Sequence, residues 1–157
     1  MRGYEIISGK GIVQGHLPGG CIDVFIMANG TKIWPSINEW TNAILFIETS
    51  EHKPSPDFIK WTLRNMAAQG ILNVLKGIII VKPQGEVYYE EYKTVITQVI
   101  ISEERLYDLP IFYNVNFDHA KPVTIIPYGI TVELNCETKT ITFLRILCAA
   151  NSFPIHR

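Results

Sequence analysis

The clearest candidate for proton transfer in this sequence is His119, in the segment NVNFDHAKP at residues 114–122. It follows the apolar run PIFYNV, residues 110–115, and stands among Asn, Asp and Pro residues, which rarely surround a core histidine. An imidazole suits general acid–base chemistry near neutral pH. The pattern therefore favours a histidine held by a tight turn at a strand end. A turn histidine bonded to a backbone carbonyl is the common structural alternative.

Glu48 is the matching candidate among the carboxylates, because it directly follows the apolar run AILFI. Such a run is typical of a buried strand, and ligands of α/β sheets gather beyond the strand ends. Periodicity alone favours the alternative, an acid that merely ends a strand in water. If the strands 43–48 and 110–115 are near neighbours running in parallel, Glu48 and His119 emerge at the same edge. The carboxylate would then fix the tautomer of the ring and stabilise its charged form.

A third candidate is the segment PGGC, residues 18–21. Its proline and the glycines Gly19 and Gly20 predict a turn, and a short buried helix is predicted to start at Cys21. The backbone N–H groups of such a turn can bind an anion. A cysteine at a helix start can also have a lowered pKa and act as a nucleophile, although it is more often simply buried.

The periodicity elsewhere predicts the elements that must position these residues. A helix is predicted after Ser55, which can cap it, and ends at Gly70. A second long helix is predicted from about Val87 to Glu104, after the strand GIIIV at 77–81. The segment GITVELNCETKTITFLRI near the end alternates by twos and is typical of a hairpin.

Strands interleaved with two main helices and a C-terminal hairpin predict an α/β fold with a mixed sheet. A length of 157 residues with 47% hydrophobic residues suits a single domain spanning residues 1–157. Fourteen basic and fifteen acidic residues give a net charge of −1, which argues against a nucleic-acid or anionic-membrane partner. No apolar run reaches the length of a membrane span.

The number and spacing of the cysteines and histidines argue against disulfide bonds and metal sites. The three cysteines, Cys21, Cys136 and Cys148, form no CxxC pair, which argues against a disulfide framework or a zinc site and favours a cytoplasmic location. The four histidines are scattered without metal-ligand spacing. No metal and no other cofactor is therefore expected.

Taken in order, four segments resemble the C-terminal half of the LD-carboxypeptidase and microcin C immunity protein (MccF) family of serine peptidases. They are GGCIDVFIMANGT, AILFIETSEHKPSP, LRNMAAQGILNVLKGIIIVKP and LPIFYNVNFDHAKPVTIIPYG. The resemblance extends from about Gly11 to Phe143, and FIETSE looks closer to the MccF-like branch. It implies a swivelling β/β/α domain, a homodimer and no metal.

The resemblance also implies a Ser–Glu–His triad. The family's glutamate ends the strand that matches LFIE, which corresponds to Glu48, and its histidine lies in an N-x-x-F-G-H motif that matches NVNFDH, which corresponds to His119. Asp118 stands where the family has glycine, and Cys21 replaces the asparagine usual in its GGN turn. Gly19, Gly20, Cys21 and Asp118 are the residues implied near the substrate.

The family's nucleophilic serine lies in an N-terminal domain that no segment here resembles, so we expect this chain to be the Glu/His half of a two-domain serine carboxypeptidase. The substrate expected for the whole enzyme is an aminoacyl-nucleotide of microcin C type or a murein L,D-peptide. A non-catalytic module that binds a partner domain or peptide is the alternative. A stand-alone hydrolase that uses Cys21 with a histidine is a third possibility, and the weakest.

Overall fold

The computed structural model describes residues 3–116 and 129–144. Eight strands and five α-helices follow one another in this part of the chain. The strands are β1 (Glu5–Ser8), β2 (Ile12–His16), β3 (Gly19–Cys21), β4 (Ile44–Glu48), β5 (Gly77–Val81), β6 (Ile111–Val115), β7 (Thr131–Asn135) and β8 (Thr140–Phe143). The helices are α1 (Ile22–Phe25), α2 (Ile37–Trp40), α3 (Pro56–Ala68), α4 (Ile71–Val74) and α5 (Tyr89–Ile96).

The strands form two sheets. The larger has the order β1-β6-β5-β4-β3, in which β3 to β6 are parallel and β1 pairs antiparallel with β6. The smaller is antiparallel with the order β2-β7-β8 and contains the predicted hairpin. The predicted mixed sheet and C-terminal hairpin are therefore confirmed, and the division into two sheets is new.

The larger sheet is the middle of three layers. Side chains of successive strand residues point to opposite faces of a sheet, and both faces of this one are buried. One face packs against the helices, and its core includes Leu45, Ile47, Ile78, Ile80, Leu63 and Val99. The other face packs against the smaller sheet, and its core includes Ile44, Phe46, Ile79, Phe112, Val132 and Leu134. The order of layers, β/β/α, agrees with the fold that the family resemblance implied.

Helix α3 forms for the local reasons that the sequence indicates. The Ser55 hydroxyl accepts a hydrogen bond from the backbone N–H of Phe58 at 3.2 Å, Pro56 occupies the first turn, and Asp57 lies near the positive end of the helix dipole. Gly70 ends the helix in the left-handed conformation, with φ of 76°. The buried residues Ile59, Thr62, Leu63 and Met66 form its inner face.

The second long helix differs from its prediction in two respects. Val87 is extended and Tyr88 is left-handed, so α5 begins at Tyr89. After Ile96 the helix widens into a π-helix, Thr97–Glu103, whose buried residues are Val99 and Ile100. The predicted helix end near Glu104 is confirmed, whereas the predicted start at Val87 was two residues too early.

The predicted turn at PGGC was wrong. Gly19 to Cys21 form strand β3, parallel to β4, and the N–H of Phe46 donates to the carbonyl of Pro18 at 2.9 Å. A Cβ atom on Gly19 would lie 1.9 Å from the carbonyl oxygen of Phe46. The glycine therefore permits the close approach of two backbones, which sequence alone does not distinguish from a turn.

Candidate functional site

Four parallel strands of the larger sheet end at one edge, which we call the carboxyl edge. Their last residues are Cys21, Glu48, Val81 and Val115, from β3, β4, β5 and β6. Cys21 is the register partner of Glu48, and Val81 is the register partner of Val115. In open α/β sheets ligands bind beyond such an edge, so it is the natural place to look for a site.

Glu48 lies at the carboxyl edge, as the sequence predicts. The four residues before it in β4 are buried, and Glu48 itself is partly exposed. The next residue, Thr49, is buried, and the hydroxyl of Ser50 donates a hydrogen bond to the carboxylate of Asp23 in α1. The start of the loop after β4 is therefore bonded to the helix that follows β3.

His119 and Asp118 lie outside the described residues. What the structure does show is the direction of β6, which delivers the chain to the carboxyl edge four residues before His119. Strand β6 is parallel to β4 with β5 between them, so their axes lie about 10 Å apart at ordinary strand spacing. The two strands thus meet the geometric condition stated for a Glu48–His119 pair, and the contact itself stays a prediction.

Four of the seven described residues other than glycine that have a left-handed backbone conformation lie near the carboxyl edge. They occur at Lys53 after β4, at Glu86 and Tyr88 after β5, and at Asn114 within β6, with φ between 51° and 64°. Each is unfavourable for an L-residue, and such conformations cluster at active sites. The loops at this edge thus contain unfavourable backbone conformations that the surrounding structure must stabilise.

Three buried acceptor oxygens near the same edge have no hydrogen-bond partner in the part of the chain that the structure describes. They are Oδ1 of Asp23 after β3, Oε1 of Gln84 after β5 and Oδ1 of Asn116 after β6. Buried polar atoms are normally bonded, so each such atom needs an explanation. The described residues at this edge thus leave three of its buried acceptors unsatisfied.

The surroundings of Cys21 do not suit a nucleophilic thiol. Burial raises the pKa of Cys21, and the negative charges of Asp23 and Glu48 raise it further. The thiol is therefore protonated at neutral pH. His16 bonds to the carbonyl of Glu39 at 2.6 Å and thus has a structural partner of its own. These observations disfavour the cysteine hydrolase considered above.

Within residues 3–116 and 129–144, no group of three or more His, Cys, Asp or Glu residues is placed to hold a metal ion. In the same ranges, no helix is both long enough and apolar enough to cross a membrane.

Sequence reasoning missed two features of the carboxyl edge. Asp23 was not singled out, although it lies two residues after Cys21, and Asn114 was not recognised as irregular. An asparagine within the apolar run IFYNV is a signal in hindsight, because a polar residue buried in a strand needs a specific partner.

Comparisons with known proteins by family model, by sequence and by structure all find relatives of one family. Residues 14–134 match the family model of the LD-carboxypeptidase C-terminal domain. A carboxypeptidase-like protein of Treponema pallidum is 31% identical over 140 residues, which are 89% of this chain and 40% of that protein. The chain thus spans about two fifths of the length of this relative.

Two solved structures show the same fold. The crystal structure of an MccF-like protein from Streptococcus pneumoniae in complex with AMP has a TM-score of 0.76 and 27% identity, over 90% of this chain and 43% of that one. An MccF-like protein from Bacillus anthracis gives 0.73 and 25%, over 90% and 42% of the two chains.

Proposed function

Because this chain belongs to the LD-carboxypeptidase C-terminal domain family, we propose that it is the Glu/His half of an MccF-like serine carboxypeptidase. The observation that carries the proposal is the carboxyl edge, where Glu48 ends one parallel strand and β6 delivers the chain that contains His119. The nucleophilic serine comes from an N-terminal domain of the same parent protein.

In this reaction the serine oxygen attacks the carbonyl carbon of an amide, and His119 accepts the hydroxyl proton. The same imidazole then donates that proton to the nitrogen of the leaving amine, as the C–N bond breaks and an acyl-enzyme forms. Water, activated by His119, releases the acid and restores the serine. Glu48 holds the ring in the productive tautomer and offsets the charge of the imidazolium.

The substrate that we favour is an aminoacyl-nucleotide of microcin C type. The relative from Streptococcus pneumoniae, crystallised with AMP, supports this choice, since it is an MccF-like protein. A murein peptide with an L,D bond is the second choice. Gly19, Gly20, Cys21 and Asp118 are proposed to line the substrate side of the edge. A homodimer in the cytoplasm completes the proposal.

The test compares this chain with its full-length parent on both substrates. We expect hydrolysis by the parent and none by the isolated chain, because the nucleophile is supplied by the other domain. In the parent, Glu48→Gln and His119→Ala should each lower kcat by about 10³–10⁴-fold. Glu137→Gln, in the exposed turn between β7 and β8, is the matched control and should leave kcat unchanged.

Hydrolysis by the isolated chain would contradict the division of labour between the two domains. Normal kcat in the Glu48 or His119 variant would refute the assigned roles. A parent that binds a peptide or partner domain but hydrolyses neither substrate would establish the non-catalytic alternative instead.

A further inference from the structure

Strand β6 contains a β-bulge one residue before its end. On β5 the register advances from Ile79 to Val81, while on β6 it advances from Phe112 to Val115. The strand therefore accommodates one extra residue, and within it Asn114 has a φ of 64°. A bulge of this kind bends the strand, and by inserting one residue it reverses the faces to which the following side chains point.

The bulge is held by specific contacts. Asn114 is 1% exposed, and its side-chain amide donates a hydrogen bond to the carbonyl of Gly3 at 3.0 Å. That bond lies just beyond the backbone pairing of β1 with β6, which reaches Glu5 and Tyr113. On the other side of the strand, the N–H of Lys82 donates to the carbonyl of Val115 at 3.0 Å. The residue before the bulge is also fixed, because the hydroxyl of Tyr113 donates to the carbonyl of Tyr89 at 2.6 Å.

Asparagine suits both the left-handed backbone conformation and the side-chain hydrogen bond that this position requires. Asparagine tolerates the left-handed region better than most residues, and its amide supplies a donor that glycine lacks. A β-branched residue would be strained at this φ, and glycine would adopt it but leave the carbonyl of Gly3 without this donor. The bulge thus depends on the backbone tolerance and on the side chain of Asn114 together.

We propose that Asn114 is a positioning residue: its bulge sets the direction in which the chain leaves β6, and so brings His119 to Glu48. The inference rests on the proposed function, since it concerns the same pair. It adds a residue that touches neither the substrate nor the reacting atoms. Bulges next to active sites commonly re-aim the chain in this way.

The experiment uses Asn114→Val, which strains the bulge, and Asn114→Gly, which keeps the backbone freedom but removes the amide. The matched control is Asn42→Val. Asn42 has nearly the same conformation, with φ of 62°, but it is exposed and lies just before β4, at the opposite edge of the sheet. A general effect of strain on the fold should therefore appear in both valine variants.

The first readout is the tautomer of His119 in this chain, measured from the ¹⁵N shifts of its imidazole. We expect one dominant tautomer in the wild type and in Asn42→Val, and a mixture in Glu48→Gln and in both Asn114 variants. The second readout is kinetics of the parent enzyme. Asn114→Val should lower kcat by about 10²-fold or more with KM changed less than about threefold, because misplacement affects the chemical step.

The outcomes separate the two proposals. If the parent hydrolyses its substrate and the Asn114 variants match Asn42→Val in kcat and tautomer, the positioning role is wrong while the proposed function stands. If the parent is inactive but the His119 tautomer depends on both Glu48 and Asn114, the positioning role stands and the proposed function fails. A wild-type tautomer that does not respond to Glu48→Gln overturns both. Should Asn114→Val not fold, Asn114→Gly decides.

Discussion

Cys21 and Glu48 are register partners on adjacent parallel strands, and each is the last residue of its strand. A thiol and a carboxylate thus leave the sheet side by side. Burial is the main cause of the raised pKa of Cys21, and the negative charges of Asp23 and Glu48 raise it further, so the sulfur stays protonated. The relationship disfavours Cys21 as a nucleophile and leaves the proposed role of Glu48, as the partner of His119, unaffected.

We predict that Cys21 is a slow thiol. Burial raises its pKa above the ordinary 9.0, so alkylation by iodoacetamide at pH 8 should be at least about threefold slower than that of free cysteine. Asp23→Asn should accelerate the reaction more than Glu48→Gln, because the charge of Asp23 has the larger effect on this pKa. Site-resolved mass spectrometry measures the rates. Cys136, whose pKa is also raised by burial, is the internal control and should not respond to either variant.

A second prediction concerns the close approach of β3 to β4. Gly19 and Gly30 both have positive φ, but only Gly19 lies against a backbone oxygen, whereas nothing lies within 4 Å of the position that a Cβ of Gly30 would take. Gly30→Ala should cost about 1–2 kcal/mol of unfolding free energy through backbone strain alone. Gly19→Ala should cost a further ~1–3 kcal/mol through steric overlap.

Urea unfolding measures both costs, and hydrogen exchange shows where the damage lies. In Gly19→Ala the amide of Phe46, which donates to Pro18, should lose protection, while Gly30→Ala should leave it protected. Equal stability of the two variants would mean that the strands separate without cost.

A third prediction concerns the ion pair between α3 and the π-helix. Arg64 donates two hydrogen bonds to the carboxylate of Glu103, at 2.9 and 2.7 Å, which lower the pKa of Glu103. A lowered carboxyl pKa stabilises the fold above the ordinary value of 4.5, and this stabilisation is lost as the pH falls through the lower value of the folded state. Glu103→Gln should therefore lower Tm by about 1–3 °C at pH 7.

The control for this pair is Asp108→Asn, which removes the exposed contact between Lys10 and Asp108 and should leave Tm unchanged. Thermal unfolding of the wild type and Glu103→Gln from pH 7 down to 3.5 checks the sign. The difference in Tm should shrink below pH 4.5, and a difference that grows there would show that the pair does not act through the charge of Glu103.

Much of the fold could be predicted from local chemistry. Ser55, Pro56 and Gly70 mark the ends of α3 by capping and backbone preferences that need no tertiary information. The apolar run AILFI before Glu48 likewise identifies a buried strand from local sequence alone. The secondary structure at these residues depends on their immediate neighbours in sequence, so the sequence pattern is sufficient to predict it.

The parts that could not be predicted depend on contacts between distant segments. Gly19 belongs to a strand because β4 lies beside it, and Asn114 bulges because Gly3 and β5 hold it. Alternation near residues 131–143 identifies a hairpin but does not say which sheet it joins. The carboxyl edge was thus predicted from Glu48 and β6, whereas the conformations that shape it were not.

The first two strands of the described chain pair with strands that come much later in the sequence. Strand β1 pairs with β6 through Glu5 and Tyr113, and β2 pairs with β7 through Ile12 and Asn135. During synthesis, β1 therefore stays unpaired until β6 has left the ribosome, and β2 stays unpaired until β7 has. Because these pairings join distant segments, the domain should complete its fold only after β7 has been synthesised.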